Sequence, residues 1–177
     1  DTDFFAEYPF TRKNSEDDRL FYRSPRLVKH LDDTAISHIE GIYTRLFSGG
    51  TRILDLMASW ISHIPEFPGG FQATGLGMNP EELVVNRQLS EFVVHDLNRS
   101  HTLPFDDKAF DAVICTASIE YLVRPVEVIA EVARILRPGG VFVTTFSDRW
   151  FPGKEVLPWS EMNPFERLGF VLGCYMK

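Results

Sequence analysis

The sequence TRILDLMASWISH, residues 51–63, decides the fold of this chain. It begins with a short apolar run that contains Ile53 and Leu54, ends that run on the acidic Asp55, and then turns into what we predict to be a short helix. This pattern is typical of the first parallel strand of an α/β sheet and its ligand-facing turn. Because ligands of open α/β sheets bind at the carboxyl ends of the strands, residues 55–63 are the first candidate for a binding site.

Four more apolar runs predict further strands, with helical patterns between them. The predicted strands cover residues 71–76, 92–95, 112–115 and 141–146; the predicted helices cover residues 27–47 and 125–136, and two more start after Asn79 and Asn163. Each of these Asn residues is followed by Pro and then by Glu82 or Glu166 at the capping-box position. The alternation of strands and helices predicts a doubly wound parallel α/β sheet with helices on both faces.

Size and composition predict one intracellular domain. A length of 177 residues suits a single domain, which we divide into an arm and helix (residues 1–50) packed on an α/β domain (residues 51–177). The net charge of −7 argues against nucleic-acid and membrane partners, and no apolar run is long enough to span a membrane. Cys115 lies in a predicted core strand, as is usual for a cysteine in a reducing compartment. We expect a cytoplasmic location, with an organelle as the alternative.

Residues 1–26 mix aromatic and charged side chains without a regular period, and two interpretations fit them. The segment is either an arm that packs on the domain or a lid that excludes water from the ligand site. The histidines of the next segment, His30 and His38, are expected to lie on a helix surface, because no group of residues has the spacing of metal ligands. No metal site is predicted.

Four motifs give the chain a family resemblance. They are RILDL (residues 52–56), ATGLGMNPEEL (73–83), VHDLNRSHTLPFDDKAFDAVIC (94–115) and IAEVARILRPGGVFVTTF (129–146). Together they resemble the class I S-adenosylmethionine-dependent methyltransferases, and within them the small-molecule branch that includes quinone-biosynthesis enzymes. A subgroup with a DLM-x-S-W loop in place of the glycine loop is more similar still. The resemblance implies a Rossmann-like methyltransferase fold and S-adenosylmethionine as the cofactor.

The resemblance also implies which residues bind the cofactor. Asp55 matches the acid that holds the methionine end, Asp96 matches the acid that reads the adenine amino group, and Met78 matches a position on the adenine face. The chain end after the fourth strand matches the segment that passes close to the sulfonium. The cofactor-binding candidates are Asp55, Met57, Ser59, Gly77, Met78, Asp96, Leu97, Ala117 and Ser118.

The sequence departs from the family pattern at three places, and each departure leaves alternatives open. Met57, Ser59 and Ile61 occupy glycine positions, beside Trp60. Gly77 replaces the acid that takes the ribose hydroxyls, so Asn79 or Glu81 would have to reach the ribose instead. The two strands that normally follow the last helix are not in this sequence, so we expect the fifth-strand edge to pair in a homodimer or with strands of a longer chain.

Methyl transfer is an in-line displacement that depends mainly on positioning. Glu120, Tyr121 and His63 are the candidate catalytic residues, and Arg149 or Trp150 would line the pocket of a small-molecule acceptor. Each candidate also has an interpretation without catalysis. Glu120 would be a solvated carboxylate at a helix start, Tyr121 a core aromatic residue, and His63 a cap on the first helix. The alternative function is a non-catalytic binding or scaffold protein, and a Rossmann-like protein for another nucleotide is a third option. An open pocket bordered by Asp55, Met78 and Asp96 would favour the enzyme, whereas Met57 or Trp60 filling that space would favour the alternative.

Overall fold

The computed structural model describes residues 10–177 as an α/β fold. The helices are α1 (Asp18–Phe21), α2 (Asp33–Leu46), α3 (Pro80–Val85), α4 (Pro125–Ile135), α5 (Leu157–Glu161) and α6 (Pro164–Tyr175), with a 3₁₀ turn at Ile119–Tyr121. The strands are β1 (Arg52–Leu56), β2 (Gln72–Gly77), β3 (Glu91–Val94), β4 (Phe110–Thr116) and β5 (Leu136–Thr145). In the described residues all strand pairs are parallel, in the order β3-β2-β1-β4-β5. The predicted doubly wound sheet is confirmed.

Strand β1 lies at the centre of the sheet, and its register aligns the strand ends. Asp55 lies opposite Gly75 of β2 on one side and Ile114 of β4 on the other. Residues 53–56 of β1 are all buried, as expected for a parallel strand covered on both faces. The carboxyl ends of β1, β2 and β4 therefore meet at one edge of the sheet, beside the acidic end of β1.

Each face of the sheet has its own hydrophobic core. On one face, Ile53, Ala112 and Ile114 pack under α2, whose Tyr43 is fully buried. On the other face, Leu54 and Val113 pack with helices α4 and α6 and with Trp159. Successive residues of β1 point to opposite faces, so the continuous apolar run of the sequence supplies both cores.

The main error of the sequence prediction concerns the chain after β1. The sequence predicts a short helix directly after β1, but residues 57–71 form an irregular segment that contains no helix. Met57 and His63 have positive φ angles of 62° and 53°, which interrupt helical geometry. Pro65 and Pro68 lack the amide hydrogen that a helix needs.

Side chains that follow α3 satisfy the backbone of this irregular segment. The Asn86 amide Nδ2 donates to the Ser59 carbonyl at 2.9 Å, and the Gln88 amide Nε2 donates to the Ile64 carbonyl. In return, the Ser62 backbone N–H donates to Gln88 Oε1 at 3.0 Å. These bonds replace the hydrogen bonds that a helix would supply, so the segment is stable without helical structure.

Several predicted boundaries also change. The helix predicted from residue 27 begins at Asp33, because the Asp32 carboxylate caps it by accepting from the Ala35 backbone N–H. Strand β5 starts at Leu136, ahead of the predicted residue 141. Asn163 and Glu166 form the predicted capping box of α6. Asn79 caps α3 as predicted, but Glu82 does not complete a capping box there, since its carboxylate bonds elsewhere.

After β5 the chain returns to the sheet through α5 and α6. Tyr175 of α6 lies against β5, with its ring 5.2 Å from that of Phe142 and its hydroxyl 2.6 Å from Thr144 Oγ1. Among residues 10–177, no helix combines the length and apolar character needed to cross a membrane.

Candidate active site

A cavity of about 400 Å³ lies at the carboxyl edge of the sheet. Its volume is within the range of small-molecule sites. All nine predicted cofactor-binding residues line it: Asp55, Met57, Ser59, Gly77, Met78, Asp96, Leu97, Ala117 and Ser118. The space bordered by Asp55, Met78 and Asp96 is open, and Met57 and Trp60 form part of its wall. This is the arrangement that we expected of an enzyme.

Asp55 is a buried acid at the wall of the cavity. It is 4% exposed at the end of β1, beside Ser62 of the irregular segment. Burial raises the pKa of Asp55 to about 7, and a hydrogen bond with Ser62 opposes part of that rise. A cationic group in the cavity would favour the ionised carboxylate and lower this pKa again.

The loop after β1 passes over the end of β2. The Ala58 backbone N–H donates to the Leu76 carbonyl at 2.8 Å, which holds the loop against the strand. A Cβ atom on Gly77 would lie only 2.2 Å from the Ala58 carbonyl oxygen. No residue with a side chain fits position 77 while the loop keeps this path. The path of the loop therefore requires glycine at position 77.

Glu82 is the cavity carboxylate that sequence reasoning missed as a site residue. It is buried, and its Oε2 accepts from Ser59 Oγ at 2.6 Å while its Oε1 accepts from the Arg26 backbone N–H at 2.7 Å. Because Glu82 lies three residues after the helix cap Asn79, its sequence position indicated a capping role and not a role in the cavity. Because each carboxylate oxygen can accept a second hydrogen bond, Glu82 can still bind a ligand hydroxyl.

The two residues that we expected to replace the ribose acid are not available for it. The Asn79 side chain caps α3 through Oδ1, and its Nδ2 donates to the Tyr22 carbonyl at 2.8 Å. Glu81 is exposed and does not line the cavity. That expectation is wrong for Glu81. Asn79 does line the cavity, but its side-chain oxygen and nitrogen already make hydrogen bonds within the protein.

Asp96 and Leu97 line the cavity where β3 ends. Asp96 Oδ1 accepts from the backbone N–H groups of Asn98, at 3.0 Å, and Arg99, at 3.2 Å. This carboxylate is thus held in a tight turn at the cavity edge. Leu97 is 3% exposed, and it joins the core of the α4 face.

Two of the three catalytic candidates line the cavity. The Tyr121 hydroxyl accepts from the Phe151 backbone N–H at 2.9 Å, so its own proton remains available to a ligand. Burial raises the Tyr121 pKa well above its ordinary value, which keeps the hydroxyl protonated. His63 is buried, and burial, followed by the charge of Lys29, lowers its pKa. It caps no helix, since residues 57–71 contain none.

Glu120 does not line this cavity. Its side chain is 0% exposed, and neither carboxylate oxygen has a hydrogen-bond partner among the described residues. Burial raises the pKa of Glu120 to about 8. The expectation that Glu120 faces an acceptor in this cavity is wrong, and so is its interpretation as a solvated carboxylate.

A cover closes part of the cavity; it consists of residues 18–31 and 149–151. The Asp18 carboxylate accepts from Lys154 Nζ at 2.9 Å and from Arg12 Nη1 at 2.8 Å, which joins the N-terminal part to the chain after β5. Trp60 Nε1 donates to the Val28 carbonyl at 3.0 Å. Residues 18–31 thus pack on the domain, as the arm interpretation expects, and they also line the cavity; the lid interpretation stays a prediction. Phe4, Phe5 and Tyr8 lie outside the described residues.

Arg149 and Trp150 line the cavity as expected of acceptor-pocket residues, next to Phe151. The Phe151 ring stacks on Tyr121 with centroids 5.8 Å apart. Among residues 10–177, no cluster of three or more His, Cys, Asp or Glu side chains could hold a metal ion.

Comparisons with known proteins agree with this geometry. Residues 60–144 match the model of a family described as a methyltransferase domain. An uncharacterized chloroplastic methyltransferase of Arabidopsis thaliana is 40% identical over 68 residues, which cover 38% of this chain and 18% of the relative. A fatty-acid O-methyltransferase of Mycolicibacterium smegmatis is 40% identical over 77 residues, which cover 41% of this chain and 27% of the relative.

A crystal structure of a Pyrococcus horikoshii protein shares the fold, with a TM-score of 0.55 and 24% identity over 73% of this chain and 66% of that one. The chain spans less than half the length of the curated relatives it matches. The sheet order and the Pyrococcus horikoshii structure identify the fold as the Rossmann-like methyltransferase fold.

Proposed function

We propose that this chain binds S-adenosylmethionine and transfers its methyl group, by in-line displacement, to a small-molecule acceptor. The observation that carries the proposal is that all nine cofactor candidates line one cavity at the carboxyl edge of the sheet. Their chemistry fits the cofactor, because acids at Asp55 and Asp96 suit its cationic methionine end and its adenine amino group. Apolar side chains at Met78 and Leu97 suit the flat adenine ring.

S-adenosylmethionine would supply an electrophilic methyl group on a sulfonium. Asp55 would hold the methionine end, Asp96 and Leu97 would orient the adenine, and Ala117 and Ser118 would lie beside the reacting methyl. Glu82, held by Ser59, would take the ribose hydroxyls in place of the acid missing at Gly77. The Tyr121 hydroxyl would orient the acceptor, and His63 is the cavity residue suited to accept a proton.

The competing function is a non-catalytic binding or scaffold protein. One observation favours it: the Ala58 carbonyl lies where the ribose acid of the family would extend from position 77. The name of the Arabidopsis relative, chloroplastic, supports an organelle as the alternative to a cytoplasmic location.

Thermal unfolding of the chain with and without S-adenosylmethionine and S-adenosylhomocysteine tests cofactor binding. Ligand at a hundred times its dissociation constant should stabilise the chain by about 2.7 kcal/mol. For a chain of this length that corresponds to a rise in Tm of roughly 5 to 10 °C. Asp96→Ala should lose this shift, whereas Asp106→Ala, at an exposed position outside the cavity, should keep it.

Turnover separates the two functions. Incubation of the chain and S-adenosylmethionine with a panel of small phenols, carboxylic acids and amines should release S-adenosylhomocysteine with at least one acceptor class. Binding without turnover would favour the scaffold, and a well-folded chain with no thermal shift at millimolar cofactor would contradict both the cofactor and the enzyme.

A further inference from the structure

Most acidic side chains that line the cavity lie on other segments than the lysine and arginine side chains. The acids Asp55, Glu82 and Asp96 lie on or just after the strands and on α3. The lysine and arginine side chains of the lining, Arg26, Lys29 and Arg149, all lie on the cover. A cavity with this division of charge can hold a cation against the sheet and an anion against the cover.

The one acid of the cover does not neutralise those cations. Asp18 is 4% exposed, and its carboxylate already accepts from Arg12, Lys154 and Asn98. Lys154 is itself 0% exposed, so this pair is internal to the protein. The negative charge of Asp18 is therefore balanced by Arg12 and Lys154 inside the protein.

Arg26 has an unused hydrogen-bond donor. Its Nη2 donates to the Phe21 carbonyl at 2.9 Å, but its buried Nη1 has no partner among the described residues. The guanidinium lies over the rings of Phe21, 4.4 Å from the centroid, and Phe151, at 5.2 Å. Leaving a buried cationic donor without an acceptor is unfavourable, and an anion bound under the cover would supply one.

Arg149 and Lys29 add positive charge at the cavity wall. Arg149 is exposed, and Lys29 pairs with the exposed carboxylate of Asp33 at 2.8 Å. A surface pair of this kind is weak, so Lys29 can exchange Asp33 for a ligand anion. The imidazole of His30 lies 5.3 Å from the Phe151 ring, in the same part of the cover.

The surfaces beside these cations are aromatic. Phe151 packs on Tyr121 at 5.8 Å and on Tyr22 at 6.5 Å, and the rings of Trp60 and Trp150 also line the cavity. Such walls bind a flat or otherwise apolar molecular body. The cover thus combines an apolar surface with positive charge that a ligand anion can reach.

We propose, on the basis of the proposed function, that the methyl acceptor is a small organic acid bound as its anion, with an aromatic or otherwise apolar body. Its negative charge lies under the cover near Arg26 and Arg149, and its body lies against Phe151 and Tyr121. The acids at the strand ends remain for the cationic cofactor. This arrangement keeps the two ligands apart by charge and brings them together at the end of β4.

Isothermal titration calorimetry with two probes of the same shape tests the charge preference. 2-Naphthoate carries a carboxylate where 2-naphthamide carries a neutral amide. Titrated into the chain with and without saturating S-adenosylhomocysteine, 2-naphthoate should bind at least about tenfold more tightly than 2-naphthamide, as expected for a charge-assisted hydrogen bond.

Two substitutions test whether the preference for the carboxylate depends on the arginines of the cover. Arg149→Gln and Arg26→Gln should each weaken 2-naphthoate binding about tenfold and leave 2-naphthamide binding unchanged. Arg87→Gln, at an exposed position outside the cavity, is the matched control and should change neither. Arg149 is exposed, so its substitution tests the proposal even if the Arg26 variant is unstable.

Equal affinity for the two probes, no binding of either, or a carboxylate preference unaffected by both substitutions would overturn the proposal. Binding of S-adenosylhomocysteine alone is measured first. Failure of that step counts against the proposed function, whereas cofactor binding without a carboxylate preference counts only against the anionic acceptor.

Discussion

Gly77 is the residue on which the path of the cavity loop depends most directly. Gly77→Ala places a Cβ within 2.2 Å of the Ala58 carbonyl oxygen, a backbone atom that cannot rotate away. We expect a loss of about 2 kcal/mol or more in the free energy of unfolding, as for other overpacked positions. Denaturation by urea measures it.

Gly169→Ala is the matched control, because a Cβ there meets no atom within 4 Å and the residue lies inside α6. This substitution should stabilise the chain by about 0.5 to 1 kcal/mol. Equal effects of the two substitutions would show that the loop does not pass over β2 as described.

Glu120 gives the chain a pH dependence of stability that can be measured separately. Its pKa is raised by burial from 4.5 to about 8, so the folded state holds a proton that the unfolded state releases between these values. The stability of the wild-type chain therefore falls as the pH rises from about 4.5 to 8. Glu120→Gln removes this loss, and the variant should gain on the order of a few kcal/mol over wild type between pH 5 and pH 8.

Urea denaturation at the two pH values measures the difference. Glu66→Gln, at an exposed loop position, is the control and should follow wild type at both. A Glu120→Gln variant whose advantage does not grow with pH would contradict the buried, unpaired carboxylate.

Among the elements, the irregular segment after β1 depends most on side chains from elsewhere. Asn86 is 3% exposed and donates to the Ser59 carbonyl and to Ser62 Oγ, both at 2.9 Å. Asn86→Ala should cost about 2 kcal/mol, because it leaves buried acceptors unpaired. It should also speed hydrogen exchange in residues 57–64.

Arg87→Ala, at the adjacent exposed position, should change neither stability nor exchange in this segment. Unchanged exchange in the Asn86 variant would indicate that the segment is held by its own packing.

The strands were predictable from sequence and this segment was not, for a physical reason. The apolar runs around Ile53 and Val113 indicate buried strands, and the buried strands are what make up the sheet. The hydrogen bonds that replace a helix after β1 come from Asn86 and Gln88, more than twenty residues further along the chain. A local pattern contains no sign of such partners. Likewise, Glu82 looked like a capping acid because its spacing fits one.

At the scale of the whole molecule, the Asp18 cluster joins the cover to the rest of the fold. Burial raises the Asp18 pKa, but hydrogen bonds from Arg12, Asn98 and Lys154 outweigh burial and hold the pKa below 3.8. The stability from this cluster is therefore present above the unfolded pKa and is lost as the pH falls through the lower folded value. Asp18→Asn should cost about 3 kcal/mol, because the buried ammonium of Lys154 would lose its counter-ion.

Asp33→Asn, in an exposed pair with Lys29, is the matched control and should change stability little. Urea denaturation at pH 7 compares the variants, and limited proteolysis reports whether residues 18–31 loosen. An Asp18 variant as stable as wild type would show that the cover is held by its aromatic contacts alone.

Sequence could identify the strand-end side of the cavity and two residues of its cover, Arg149 and Trp150, but not the N-terminal part of the cover. The nine cofactor candidates follow strand ends, which a parallel sheet brings together whatever the loops do. The cover depends on Asp18 meeting Lys154 across a separation of 136 residues. The same distance explains why arm and lid could not be distinguished, since neither composition nor periodicity of residues 1–26 records what they pack against.

The path of the loop over β2 also determines how this protein could be redesigned. Residues 57–59 and position 77 depend on each other. The present path of the loop excludes any side chain at position 77, and a side chain there would exclude this path. An acid introduced at position 77 without a new path for the loop would collide with the Ala58 carbonyl. An acid at position 77 therefore requires a loop that follows another path, and Asn86 would have to be adapted to that new backbone.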